Sequence, residues 1–272
     1  MLVESPTYQP LASLPARFGA QVIAVPIPLK RQTGDVAEAF SRAIRPSTTA
    51  LVLSNLHNPT GCFLTRDETN ELARRVRAVA PKITVIVDET FLGLGPEPFR
   101  TAADLDPCIA TVSSLTKTFG LGQLRCGWVI ADKRRYPQLL DDCVQFESIG
   151  SKILEALSLM AFEQIDSLLV ESLAHLQVNR ELVMAGTQQL RQAHLLDGEL
   201  SPAGCLFFPR WKGRTPLEQA APRLQAEFGV LVSPGRFFCG PCTDHLRIGL
   251  GGSAEGVREG LERLTRGLQA IG

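Results

Sequence analysis

The stretch SSLTKTFGLGQLRCGWV, residues 113–129, decides how this chain is read. An apolar, strand-like run, IATVSS (109–114), delivers Lys117 into a glycine-rich bend. Arg125 follows eight residues later, and the chain then turns apolar again at CGWVIA (126–131). Lysines are mostly exposed, so Lys117 taken alone reads as a surface residue beside a turn. A solvated lysine gains nothing from such surroundings, whereas a desolvated one has its pKa lowered toward nucleophilic competence.

The same alternation of strands and helices extends in both directions. Upstream, the strand candidate QVIAVPI (21–27) precedes a helical DVAEAFSRAI (35–44), and ALVLS (50–54) leads into the turn NLHNPTG (55–61). An amphipathic helix is expected from about Thr65 to Val79, with Thr65 as N-cap and Glu68 completing a capping box. ITVIVDE (83–89) is a further strand. This alternation predicts an α/β fold, a mostly parallel sheet flanked by helices. Ligands of such sheets sit beyond the carboxyl ends of the strands, where Asn58, Asp88 and Lys117 all fall. From about Glu147 to Gln192 the pattern is helical with few breakers. CLFFPRW (205–211), a helix near 216–228, VLVSPG (230–235), HLRIGLG (245–251) and a closing helix from Ser253 predict a smaller C-terminal α+β domain. The expected division is a large domain over 1–175 and a small one over 176–272.

Bulk properties set limits. In 272 residues, 44% are apolar and 21% charged, which suits a sizeable core. Acidic and basic residues balance at 28 each, so no global field favours nucleic acid or an anionic membrane. Apolar runs are strand-length, well short of the roughly 20 residues of a membrane helix. The start, MLVESPTYQP, lacks the features of a signal peptide. Seven cysteines, an odd number in core-like stretches, suit reduced thiols. These features predict a soluble, cytoplasmic protein.

Four segments stand in order: HNPTG (57–61), DETF (88–91), SLTKTFGLGQLR (114–125) and HLRIG (245–249), with SPTYQPL (5–11) near the start. Each is weak alone. Together they resemble the class I/II aminotransferases, fold-type I enzymes that use pyridoxal 5′-phosphate (PLP). The resemblance implies that Lys117 is catalytic, holding PLP as a Schiff base and then moving a proton at the substrate. It implies that Asp88 keeps the pyridine nitrogen protonated, a pairing that would offset the cost of a charge at the end of an apolar strand. It makes Asn58 a ligand of the cofactor phenol oxygen and of the substrate carboxylate, and Tyr8 the ring against the pyridine face. Ser114 and Arg125 become phosphate ligands, and Arg247 the clamp on the substrate α-carboxylate. Read without the family, Asp88 and Asn58 are also compatible with simple turn residues, Tyr8 with a core tyrosine and Arg247 with a surface ion pair. His57 reads as a packed neighbour and Glu89 as sharing the motif without the role.

Two departures stand out. Phe91 occupies the place where the family usually carries a tyrosine, keeping the ring and losing its hydroxyl. Met1 falls about a quarter of the way into the usual family chain, so the absent part would include a phosphate-binding glycine turn and a strand beside CGWVIA. The sequence therefore reads as a truncated product, a misplaced start or a fragment, which bears on the expected homodimer. The expected activity is transfer of an amino group between an amino acid and a 2-oxo acid. The alternatives are a catalytically impaired remnant that binds PLP or amino acids, and a PLP-dependent lyase or decarboxylase. CGPC (239–242) copies a redox signature, but it sits in a Gly/Pro loop rather than at a helix N-terminus. Cys239, Cys242 and His245 lack a fourth zinc ligand. No metal, nucleic acid or membrane partner is expected.

Overall fold

A computed structural model describes residues 1–147 and 150–272. The elements run β1 (Leu2–Ser5), α1 (Gln9–Arg17), β2 (Ile23–Pro26), α2 (Asp35–Ala43), β3 (Ala50–Ser54), α3 (Arg66–Val79), β4 (Thr84–Asp88), β5 (Ile109–Ser114) and β6 (Gly127–Ile130). They continue with α4 (Tyr136–Glu147), α5 (Lys152–Glu163), α6 (Ile165–Gln192), β7 (Leu196–Asp197), β8 (Leu206–Phe207) and β9 (Arg210–Trp211). The chain closes with α7 (Leu217–Phe228), β10 (Ser233–Pro234), β11 (Leu246–Gly249) and α8 (Ala254–Ile271).

Apolar strands separated by amphipathic helices fold as right-handed crossovers, which stack parallel strands side by side. The six-stranded sheet accordingly has the order β2-β1-β3-β4-β5-β6. Its first five strands are parallel, and β6 runs antiparallel to β5 at one edge. Leu2, Leu51, Leu53, Val85, Val87 and Ile109 form its buried core with Phe40, Leu72 and Val76 of α2 and α3. Helix α3 begins at the expected capping box: Thr65 Oγ accepts from the Glu68 N–H while Glu68 accepts from the Thr65 N–H.

Beyond residue 195 the sheets are small and antiparallel. The first is β10-β11-β8 and the second is β7-β9. They pack with α7 and α8 around Leu190, Trp211, Leu224, Leu246 and Leu268.

Several boundaries differ from the sequence reading. CLFFPRW is not one strand: Pro209 lacks an N–H donor, and the segment splits into β8 and β9 around Phe208 and Pro209. VLVSPG contributes only Ser233 and Pro234 to pairing. The helical stretch expected from about 147 to 192 is interrupted at Gln164, whose φ of −117° and ψ of 19° leave the helical region. Its residues 148 and 149 lie outside the described part. The cysteines are all free, but Cys143 and Cys239 are exposed and only Cys108 and Cys242 are buried. No helix among the described residues is long and apolar enough to cross a membrane.

Candidate active site

Strands β1, β3, β4 and β5 are adjacent and parallel, so their carboxyl ends lie along one rim. Three steps between neighbouring strands span about 14 Å. Tyr8 follows β1, Asn58 follows β3, Asp88 closes β4, and Ser114 closes β5 with Lys117 three residues on. The sheet thus gathers these residues on the rim where α/β folds bind ligands.

Segment 114–127 is a wide hairpin. Ser114 stands opposite Gly127, and the Leu115 N–H donates to the Cys126 carbonyl at 3.0 Å. Buried Leu115 and Phe119 anchor the loop, and Thr118 Oγ1 donates to the Thr90 carbonyl at 2.9 Å. Lys117 is exposed in this loop, which corrects the expectation of a desolvated lysine: Leu115 and Phe119 on either side are buried, not Lys117. Arg125 lies in the same loop, also exposed, with a φ of +52° that residues other than glycine rarely adopt. Backbone strain of this kind collects at functional sites. Ser114 Oγ accepts from the Thr116 N–H at 3.3 Å.

Asp88 is partly buried, and its Oδ1 accepts from the Thr90 N–H at 3.0 Å. Neighbouring Glu89 points the other way. It is buried, accepts from the Ala102 N–H at 2.7 Å, and has its pKa raised by desolvation. The two carboxylates of DETF therefore do different work, as their alternation on the strand requires. Phe91 packs into the apolar cluster of Leu56, Leu94, Leu176 and Phe207. Tyr8 precedes α1 with 47% of its surface exposed.

Arg247 comes from the distant antiparallel sheet. Its Nη1 donates to Asn58 Oδ1 at 2.9 Å, and its guanidinium lies 5.0 Å over the Phe238 ring. Burial lowers its pKa, and its buried Nε has no partner among the described residues. Such an orphaned donor is costly unless something accepts from it. A carboxylate does so in two-point fashion.

Two features escaped the sequence reading. Cys205 lies within electrostatic reach of Lys117, Arg247 and Arg180, and burial pushes its thiol up to about 11. The other is a polar cluster beneath the rim. Glu4, 1% exposed, accepts from the Ser54 N–H and hydroxyl at 2.6 Å each and from Arg31 Nη2 at 3.2 Å. A glutamate inside LVES, a strand buried at every position, was the available signal. His57 is fully buried there and is held neutral, its pKa well lowered by desolvation and then by Arg31. Its Nε2 lies 2.9 Å from the Pro6 carbonyl, which can only accept, so that nitrogen carries the proton and Nδ1 accepts from Thr60 Oγ1 at 2.7 Å. His57 is a packed neighbour, as expected.

The CGPC segment is a loop in which Cys239 has a φ of +51°. Burial raises the pKa of both its thiols, the opposite of what redox chemistry needs. Among the described residues no cluster of histidine, cysteine or carboxylate side chains could hold a metal. A cleft of about 750 Å³ lies between Lys30, Arg31 and Thr60 on one side and His194, Arg210 and Lys212 on the other. It contains none of the expected cofactor ligands.

The donor set on the rim fits PLP. A primary amine matches its aldehyde, a strand-end carboxylate its pyridinium, and a hydroxyl with a guanidinium its phosphate.

Comparison with known proteins agrees. The family model described as aminotransferase class I and II matches residues 1–264. Capreomycidine synthase of Streptomyces vinaceus is 28% identical over 98% of this chain and 68% of its own length. The arginine–pyruvate transaminase of Pseudomonas aeruginosa is 27% identical over 97% and 67%. The chain thus spans about two thirds of these relatives. A PLP-dependent aminotransferase structure from Streptococcus suis superposes with a TM-score of 0.87 at 24% identity, over 100% of this chain and 71% of its own. A structure of the PLP-dependent cyclase OrfR gives 0.86 at 23%, over 100% and 72%. With its rim of donors and a match running almost end to end, the chain belongs to the aminotransferase class I and II family, whose cofactor is PLP.

Proposed function

We propose that this chain transfers amino groups between an amino acid and a 2-oxo acid, with Lys117 as the residue that carries the cofactor. One observation carries the reading. Asn58, Asp88, Ser114 and Lys117 stand at or just past the carboxyl ends of three adjacent parallel strands, and Arg247 reaches across to Asn58 with a donor to spare. When bound, the cofactor supplies an electron sink for charge developing at the substrate Cα. The Lys117 amine, displaced by the substrate amine, would take the proton from Cα as general base and deliver it to the cofactor carbon C4′ as general acid. Asp88 would keep the pyridine nitrogen protonated, Ser114 and Arg125 would hold the phosphate, and Tyr8 and Phe91 would border the ring. Arg247 and Asn58 fix the substrate carboxylate and so orient the Cα–H bond.

We also assign residues 1–175 to the cofactor-binding large domain and 176–272 to the small one. The six-stranded sheet ends before residue 131, the antiparallel sheets begin after 195, and the 28-residue helix α6 runs between them. A homodimer is supported by exposed apolar side chains on α4 and α5: Leu140, Val144, Phe146, Ile153, Leu157 and Met160. Seven free cysteines favour a reducing compartment, the cytoplasm.

A second reading has one argument behind it. Two of the similar proteins are named a synthase and a cyclase, so a PLP reaction that keeps or rearranges the substrate amine is the rival. Release of a 2-oxo acid from the amino donor separates transfer from rearrangement.

The test of the covalent assignment is borohydride reduction of the protein with PLP, followed by peptide mapping. A label on Lys117 supports the reading. A label on another lysine, or none at saturating PLP, rejects it.

A further inference from the structure

We propose that the buried Glu4 carboxylate is a positioning residue for the substrate-carboxylate grip, acting through Ser54 on Asn58 and Arg247. The proposal rests on the reading of Arg247 and Asn58 given above.

The connection is continuous. Glu4 Oε1 accepts both the Ser54 N–H and its hydroxyl, each at 2.6 Å. An ionised carboxylate can only accept, so the Ser54 hydroxyl proton is committed to Glu4. The lone pairs of Ser54 Oγ are then free, and one accepts the Asn58 N–H at 3.1 Å. Asn58 Oδ1 in turn accepts from Arg247 Nη1 at 2.9 Å. Four residues separated by up to 243 positions thus form one oriented path from the sheet core to the guanidinium (247 − 4).

Glu4 gains little as a stabilising element alone, since burying a charge is costly even when it is paired. Arg31 is its counterion at 3.2 Å, yet Arg31 Nε and Nη1 are buried without partners among the described residues. The other ionisable group facing Glu4 is His57, 3.7 Å from Oε2 and held neutral. The turn between Ser54 and Asn58 is therefore gripped from two sides, by Glu4 through Ser54 and by Pro6 and Thr60 through His57. Desolvation raises the Glu4 carboxyl to about 7 against the lowering effect of Arg31, so its charge changes near neutral pH. A neutral carboxyl accepts more weakly than a charged one, so its hold on Ser54 loosens as it takes up a proton.

Glutamine at position 4 keeps the shape but not the pattern. Turned one way its amide faces the Ser54 donors, and turned the other way it faces Arg31, donor against donor in both cases. Ser54→Ala cuts the path without disturbing the Glu4–Arg31 pair, and Ser54→Thr restores the hydroxyl. The probe is propionate, an unreactive carboxylate, titrated calorimetrically into the PLP-loaded protein, with Arg247→Gln as reference. E4Q and S54A are expected to weaken propionate binding about tenfold, with S54T near the parent. For the amino-acid substrate KM rises by a similar factor, while kcat stays within about threefold. The parent's propionate affinity falls as pH drops through about 7, and that of E4Q does not. If R247Q weakens binding while S54A leaves it within twofold, positioning by Glu4 is refuted and the clamp stands. If R247Q itself leaves binding unchanged, the clamp reading fails and the proposal with it. Should E4Q not fold, S54A and S54T decide alone.

Discussion

Arg247 and Asn58, 189 residues apart, meet through a 2.9 Å hydrogen bond that joins the antiparallel C-terminal sheet to the rim of the parallel one. With Arg247 as the proposed clamp, removing the guanidinium would leave the substrate carboxylate without its two-point partner. Arg247→Gln is expected to raise KM for the amino donor roughly 10- to 100-fold, corresponding to the loss of a charge-assisted hydrogen bond. Asn58→Ala should cost less, about tenfold, because Arg247 keeps its charge. Initial rates over a range of amino-acid concentrations measure both, and an unchanged KM in R247Q would sink the assignment.

Phe91 sits in the apolar cluster with Leu56 and Leu94, at the place where a tyrosine would add one hydroxyl. Phe91→Tyr is expected to lower by about one pH unit the titration midpoint of the bound cofactor's visible absorption, and to raise turnover several-fold. A midpoint that does not move would show that position 91 lies out of reach of the cofactor's phenol oxygen.

Gly204 has a φ of +84°, and a β-carbon there would stand 2.8 Å from Leu56 Cδ1. Its carbonyl accepts from Arg180 Nη1 at 2.7 Å, and its N–H donates to the Leu94 carbonyl at 2.9 Å. Gly204→Ala should cost about 2 kcal/mol, a fall of roughly 5 °C in Tm. Thermal unfolding reads this directly. A Tm within a degree of the parent would mean that the loop shifts freely to take the methyl group.

Glu4 also has a pH signature in stability. Its carboxyl is raised from 4.5 to about 7, so the folded state holds the proton more tightly than the unfolded chain. The penalty of the buried charge is full above pH 7 and is relieved as pH falls toward 4.5, worth roughly 3 kcal/mol. His57 works the other way, because a fold that keeps it neutral loses stability as pH falls below about 6.5. Comparing the parent with Glu4→Gln removes most of the histidine contribution, which both share. The stability difference between them is expected to move in the parent's favour between pH 7.5 and 5. A constant difference in denaturant melts across that range would contradict the assignment of the raised pKa to Glu4.

What the sequence made legible was local. The capping box at Thr65 and Glu68 is written within four residues, and strands such as ITVIVD announce themselves by apolar β-branched runs. The order of strand ends then put Asn58, Asp88 and Lys117 on one rim. Long-range pairing left no such trace. Glu4 finds Ser54 and Arg31 only once three strands have stacked, and nothing periodic in the chain marks that meeting. The exposure of Lys117 is illegible for a similar reason: its apolar neighbours in sequence anchor the loop and do not cover it. The break at Gln164 has neither proline nor glycine to signal it.

Helix α6 carries a further consequence. Asn179, fully buried within it, donates to the Leu250 and Gly252 carbonyls at 2.7 Å each, just past the strand that bears Arg247. The helix thereby acts as a ruler, fixing how far and at what angle the guanidinium stands from the rim. Deleting a single residue upstream of Asn179 would turn the remaining rod by about 100° and shorten it by about 1.5 Å. A loop would absorb the same loss, but here it would throw the anchor off its seat, so α6 should tolerate substitution far better than any change in its length.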